Sequence, residues 1–130
     1  MKFSKETIKL MKELTKLSSA INKEVAFDFC LNSKNEIVPC SDGFNTAIVF
    51  IGNKDFVYSP PVFRERIGGF HTHPKGTSRL TTCDMSFIAH NKSKVECVGT
   101  ERGILCYVCE HEDLNGAKRV ECRLKNIILV

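Results

Sequence analysis

Apolar residues recur at spacings of three and four near the start of the chain: Ile8, Met11, Leu14, Leu17 and Ile21, with Lys5, Lys9, Lys12, Glu13 and Lys16 between them. That period predicts an amphipathic helix over residues 4–21, with one stripe buried against a sheet. From Glu24 the period drops to two. Val25, Phe27, Phe29 and Leu31 share one face, and Glu24, Ala26, Asp28 and Cys30 share the other, which predicts a half-buried strand. Asn32-Ser33-Lys34-Asn35 supplies a turn, Ile37-Val38 begins a second strand that Pro39 limits, and Ser41-Asp42-Gly43 is a loop. Ala47 to Ile51 reads as a core strand. A short run from Phe56 to Tyr58 and a Pro60-Pro61 break precede a strand from about Arg66 to His73, which Pro74 ends.

Met85, Phe87, Ile88 and Ala89 predict a short helix that starts near Thr81 or Thr82, is capped by a threonine, and stops by residues 91–93. Strands follow near Val95 to Gly99 and Ile104 to Cys109. A polar loop through Glu110-His111-Glu112 ends at Asn115-Gly116, and Arg119 to Val130 is extended. The order helix, strands, helix, strands implies an α+β fold, a central mixed sheet flanked by helices, in a single domain over residues 1–130.

With 42% hydrophobic and 26% charged residues, the chain falls in the globular class and outside the disordered and fibrous ones. No run reaches the length of a membrane span, and the lysines within residues 1–21 interrupt the apolar stretch a signal peptide needs. A cytoplasmic location with no membrane association is the expectation. The net charge of +4 is modest and its basic residues are scattered, so nothing prompts a nucleic-acid partner. Seven cysteines, an odd number without an export signal, rule out a complete disulfide framework. Reduced thiols are expected, with room for one bridge.

The chemistry concentrates at His71-Thr72-His73. Residues two apart on a strand point to the same side, so both imidazoles can reach one ion. Asp84 lies eleven residues beyond His73, in the first turn of the predicted helix, and becomes a third ligand if the connecting loop folds back. Two histidines and one carboxylate leave a fourth position open, as catalytic zinc requires, whereas structural zinc usually has four protein ligands. Taken singly, H-x-H is usually a pair of strand histidines, and Thr81-x-x-Asp84 also reads as a helix capping box. Their joint occurrence favours a metal.

The run His71-Thr72-His73-Pro74, six residues, Thr81, two residues, Asp84 resembles the motif of the JAMM (MPN-plus) metalloproteases, with spacing matched throughout and Thr81 where the family has Ser. The family also places a glutamate on the strand after its first helix, and Glu24 stands there, followed by Val25-Ala26-Phe27 instead of the Cys-Gly pair of many members. The resemblance covers about residues 3–110 and implies a JAMM/MPN, cytidine-deaminase-like architecture with one zinc ion per chain. It implies His71, His73 and Asp84 as ligands, Glu24 as general base and proton shuttle, and Thr81 as oxyanion donor. Asp28, on the same strand face, is the reserve base, and Ser78 ranks below Thr81 as the hydroxyl.

The implied activity is that of an isopeptidase acting on a ubiquitin-like modifier. The short chain favours a compact, prokaryotic-type member whose substrate is a small ubiquitin-like or sulfur-carrier protein, its Gly-Gly tail entering beside the metal as an added strand. Trimming the C-terminal residue or adduct of a sulfur carrier is the same chemistry on another substrate. From a different class comes a non-catalytic MPN-type scaffold, motivated by Thr81 and the surroundings of Glu24. His73-Pro74-Lys75-Gly76 also matches DNA-repair-associated relatives, against which the scattered basic residues argue. Cys106-x-x-Cys109 has an odd separation on a predicted strand, which turns its side chains to opposite faces. It chelates poorly and is expected to hold buried thiols.

Overall fold

Ser4 starts the first helix by accepting the Thr7 N–H at 3.1 Å, and Asn22 ends it in the left-handed conformation, φ 54°. This computed structural model describes residues 1–43, 46–58, 60 and 62–130; Pro61 of the expected proline break lies outside them. In chain order the elements are β1 (Lys2–Phe3), α1 (Lys5–Ile21), β2 (Val25–Leu31), β3 (Glu36–Pro39), β4 (Phe50–Ile51), β5 (Gly68–Thr72), α2 (Thr82–Asn91), β6 (Val95–Thr100), β7 (Gly103–Leu114) and β8 (Ala117–Ile128). They form one sheet of order β1-β3-β2-β5-β6-β7-β8, with β4 also paired to β2. Two pairs, β1/β3 and β5/β6, are parallel and the others antiparallel. A mixed sheet with two helices is compatible with the expected α+β class. No helix among the described residues is long and apolar enough to cross a membrane.

The alternation along β2 sorts the sheet into two faces. Val25, Phe27 and Phe29 join Phe70, Cys97, Ile104 and Cys106 under Met11 and Leu14 of α1. The Phe27 ring lies 5.4 Å from both Phe29 and Phe70, centroid to centroid. Ala26, Asp28, His71 and Glu96 project from the opposite face, where α2 sits. Because both faces are covered, Val25 to Phe29 are all buried, and β2 is not half-buried as its alternation suggested.

Helix α1 corrects the expected stripe. Its buried residues are Thr7, Met11, Leu14, Thr15 and Ser18, while Leu17 and Ile21 are exposed. Small polar residues occupy the seam because each has an internal partner: the Thr7 hydroxyl donates to Ile37 O at 2.8 Å, and that of Thr15 to Met11 O at 2.7 Å. Ser18 donates to Lys23 O at 2.7 Å, so the Thr72 hydroxyl, 2.6 Å away, must donate to Ser18, and Thr72 Oγ1 then accepts the Val25 N–H at 2.9 Å. This chain joins the end of α1, the start of β2 and the centre of β5.

Three further expectations change. Ala47 to Ile51 is not a core strand: only Phe50–Ile51 pairs with β2, at its edge, and Ile51 is 61% exposed. The polar segment after Cys109 is not a loop. It continues β7 to Leu114 and turns through Asn115 and Gly116, at φ 52° and 81°, the pair of left-handed residues a two-residue hairpin favours. Within it, His111 Nε2–H donates to Ser93 O at 2.6 Å, so that residue is not simply solvated. The cysteines are not reduced thiols: Cys30–Cys40, Cys97–Cys106 and Cys109–Cys122 are disulfides, and Cys83 alone is free. Cys97 and Cys106 stand opposite each other in the β6/β7 register, as Cys109 and Cys122 do in β7/β8, so pairing across strands made the bonds.

Thr72→Val keeps the shape of the side chain but strips the Val25 N–H and Ser18 Oγ of their partner. The expected cost is about 1–3 kcal/mol of unfolding free energy, read from chemical denaturation; a variant as stable as wild type contradicts the chain of hydrogen bonds.

Candidate metal centre

With Thr72 directed into the α1 side of the sheet, His71 and His73 face the other side. Their Nε2 atoms are 3.1 Å apart. His73 Nδ1 lies 2.6 Å from Thr77 O; a carbonyl only accepts, so Nδ1 carries a proton, and Nε2 is the ring nitrogen turned to the cleft. The loop from Pro74 to Leu80 brings the chain back, and Thr81 caps α2. Thr81 Oγ1 accepts the Asp84 N–H at 3.1 Å, while Asp84 Oδ2 accepts the Thr81 N–H at 2.9 Å. The capping box holds the carboxylate where it also meets both imidazoles, Oδ1 3.1 Å from His71 Nε2 and Oδ2 3.5 Å from His73 Nε2. The capping box is formed, and it leaves the same carboxylate within reach of both imidazoles. One ligand atom from each of the three residues lies within 4.8 Å of the other two, and the group can hold a metal ion.

Glu24 lines the same cleft, whose volume is about 670 Å³. Ala26 pairs with His71, and continuing that antiparallel register carries Glu24 to the level of His73. Its backbone is bolted to the turn at Gly52-Asn53-Lys54. Glu24 N–H donates to Asn53 O at 2.7 Å, and Gly52 N–H to Glu24 O at 2.8 Å, while Asn53 Oδ1 accepts the N–H groups of Asp55 and Phe56. Thr81 also lines the cleft; its oxygen serves the cap and its O–H hydrogen remains to donate. Ser78 instead bonds Thr100 Oγ1 at 3.0 Å. Asp28 is buried and bridged to Arg66 at 3.2 Å, a poorer position for a base than that of Glu24.

No family model matches the chain, and no curated protein matches it either. The electrostatics of the cluster come from the residues themselves. Burial pushes Glu24 up to about 7, although His71 and His73 draw it down; Asp84 and Asp55 add to the rise. Burial also acts to raise Asp84, but hydrogen bonds from His71 and His73, the charge of His71 and the Thr81 N–H hold its carboxyl well below the usual range. His73 lies above the ordinary imidazole value, since Asp84 and the Thr77 carbonyl outweigh the opposing effect of burial. Two carboxyls in one cleft are thus pushed in opposite directions, Glu24 up and Asp84 down.

In the metal-free protein the Glu24 shift predicts a pH-dependent penalty. Below its ordinary value of 4.5 the group is protonated in both folded and unfolded chains and costs nothing; above about 7 its ionisation opposes folding in full. Glu24→Gln accordingly raises the thermal midpoint at pH 8 and leaves it little changed at pH 4.5, measured with chelator present. An equal gain at both pH values contradicts the assignment.

Proposed function

We propose that the chain is a zinc-dependent metallopeptidase of the JAMM type, acting at the bond that follows the C-terminal Gly-Gly tail of a ubiquitin-like or sulfur-carrier protein. The observation that carries this reading is the spacing of the ligand atoms. A tetrahedral zinc with bonds of about 2.0–2.1 Å spaces its ligands about 3.4 Å apart; here the two Nε2 atoms are 3.1 Å apart, Asp84 approaches His71 through Oδ1 at 3.1 Å and His73 through Oδ2 at 3.5 Å, and one ligand atom from each residue lies within 4.8 Å of the other two. Two imidazoles and one carboxylate leave the fourth position for chemistry, and the match of His71-Thr72-His73-Pro74, Thr81 and Asp84 to the JAMM motif supports the same site.

Bound there, zinc would supply Lewis acidity toward the scissile carbonyl and the attacking water. Glu24, poised near neutrality, takes the proton from the attacking water and returns it to the leaving amine. Thr81 O–H faces the developing oxyanion. A Gly-Gly tail brings no side chains into the cleft beside the ligands. Removal of a C-terminal adduct from a sulfur carrier uses the same groups. The three disulfides fit an oxidising setting or a disulfide-rich hyperthermophile interior, in place of the cytoplasm of reduced thiols. The alternative, a non-catalytic MPN-type scaffold, draws on Thr81 standing where the motif has Ser.

Hydrolysis of a fusion in which a ubiquitin-like protein ends in Gly-Gly before a reporter tests the proposal. Zinc-loaded wild type cleaves after the second glycine, a chelator stops it, and Glu24→Gln lowers kcat by about 10²–10⁴-fold. Cleavage that persists in Glu24→Gln overturns the assigned mechanism, and tight binding of such proteins without cleavage supports the scaffold.

A further inference from the structure

Behind the histidines, on the same face of the sheet, lies a second polar cluster that the reaction above does not use. The registers align Asp28 of β2, Gly69 of β5 and Glu96 of β6 in one row, with Ala26, His71 and Val98 in the next row on that face. Arg66, just before β5, lays its guanidinium over Gly69. Its Nε donates to Asp28 Oδ1 at 3.2 Å, Nη1 to Ser93 Oγ at 3.0 Å and Nη2 to Glu96 Oε1 at 3.4 Å. A Cβ at Gly69 would stand 3.1 Å from Arg66 Nη2 and 3.2 Å from Phe27 O, so a side chain there would crowd the fork. The Arg66 side chain is only 9% exposed, and both carboxylates are buried.

The fourth face of the guanidinium meets α2. Arg66 Cζ lies 5.3 Å from the centroid of the Phe87 ring, and Phe87 is three residues after Asp84, one turn along the same side of the helix. Ile88 is the one fully buried residue of helix α2, and the helix also packs against β8. Ser93, which Arg66 also holds, follows the left-handed cap that ends the helix. The guanidinium thus touches the sheet row beneath the histidines, the turn after Asp84 and the exit of α2.

We propose that Arg66 is a positioning residue for the metal centre: through Phe87 and Ser93 it sets the height and rotation of α2, and so places the Asp84 carboxylate against His71 and His73. The inference rests on the metal reading of those three residues. A lysine keeps the charge but cannot serve Asp28, Ser93, Glu96 and the ring at once, because it lacks the planar fork. Burial holds Glu96 up to about 7 even with Arg66 beside it, so removing the cation altogether would threaten the fold. Gentler variants are therefore the informative ones.

The test uses the full chain as wild type, Arg66→Lys, Phe87→Leu and Phe87→Tyr. Zinc affinity is measured by competition with a chromophoric chelator, and coordination by the visible absorption of the Co²⁺ forms. Arg66→Lys and Phe87→Leu are expected to weaken zinc binding about tenfold or more and to alter the Co²⁺ spectrum. Phe87→Tyr, which keeps the ring, is expected to restore both. Loss of thermal stability alone, with zinc affinity and Co²⁺ spectrum like those of wild type, overturns the inference and leaves the metal centre standing. Wild type that takes up neither ion overturns both. If Arg66→Lys fails to fold, the two Phe87 variants decide.

Discussion

Two imidazoles can face one cleft from a single strand only if the residue between them is accommodated on the far side. Thr72 meets that condition with hydrogen bonds. The run from the Val25 N–H through the Thr72 and Ser18 hydroxyls to Lys23 O joins three elements at one buried point. A residue with no partner for those groups would leave a buried amide unsatisfied at the start of β2, where Glu24 begins to enter the cleft. One set of bonds therefore orients both histidines and fixes the level of the carboxyl opposite them.

Asp84 is built into the centre with similar economy. An uncompensated carboxylate at this depth would be costly, yet it neutralises the first turn of α2, closes the capping box and meets two imidazoles. His73, with its Nδ1–H committed to Thr77 O, keeps Nε2 turned toward the cleft. The other half of the cleft is less settled by charge. Burial pushes Glu24 up to about 7, and the two histidines are the charges that draw it back down.

What was legible in the amino-acid sequence is what depends on short spacing. His71 and His73 share a face because strands alternate, and Thr81-x-x-Asp84 caps a helix whether or not an ion is present. Long-range register was not legible. Cys97 meets Cys106, and Cys109 meets Cys122, because β6, β7 and β8 pair in one alignment out of several, and a cysteine count cannot choose it. Ala47 to Ile51 is apolar enough for a core, but its place at the border of the sheet is a topological fact. The stripe of α1 was misplaced because Thr7, Thr15 and Ser18 look polar in a pattern, and only their partners make them buried residues. Arg66 gave no signal at all, since its carboxylates come from strands 38 and 30 residues away.

The central claim is that His71, His73 and Asp84 form one metal centre, and elemental analysis of the purified chain tests it most directly. Wild type should carry about one zinc per chain, as a site with a single open position implies, and Asp84→Ala prepared in the same way should lose it. A wild-type chain that holds no metal even after zinc is supplied would leave a capped helix beside two strand histidines, and would contradict the account.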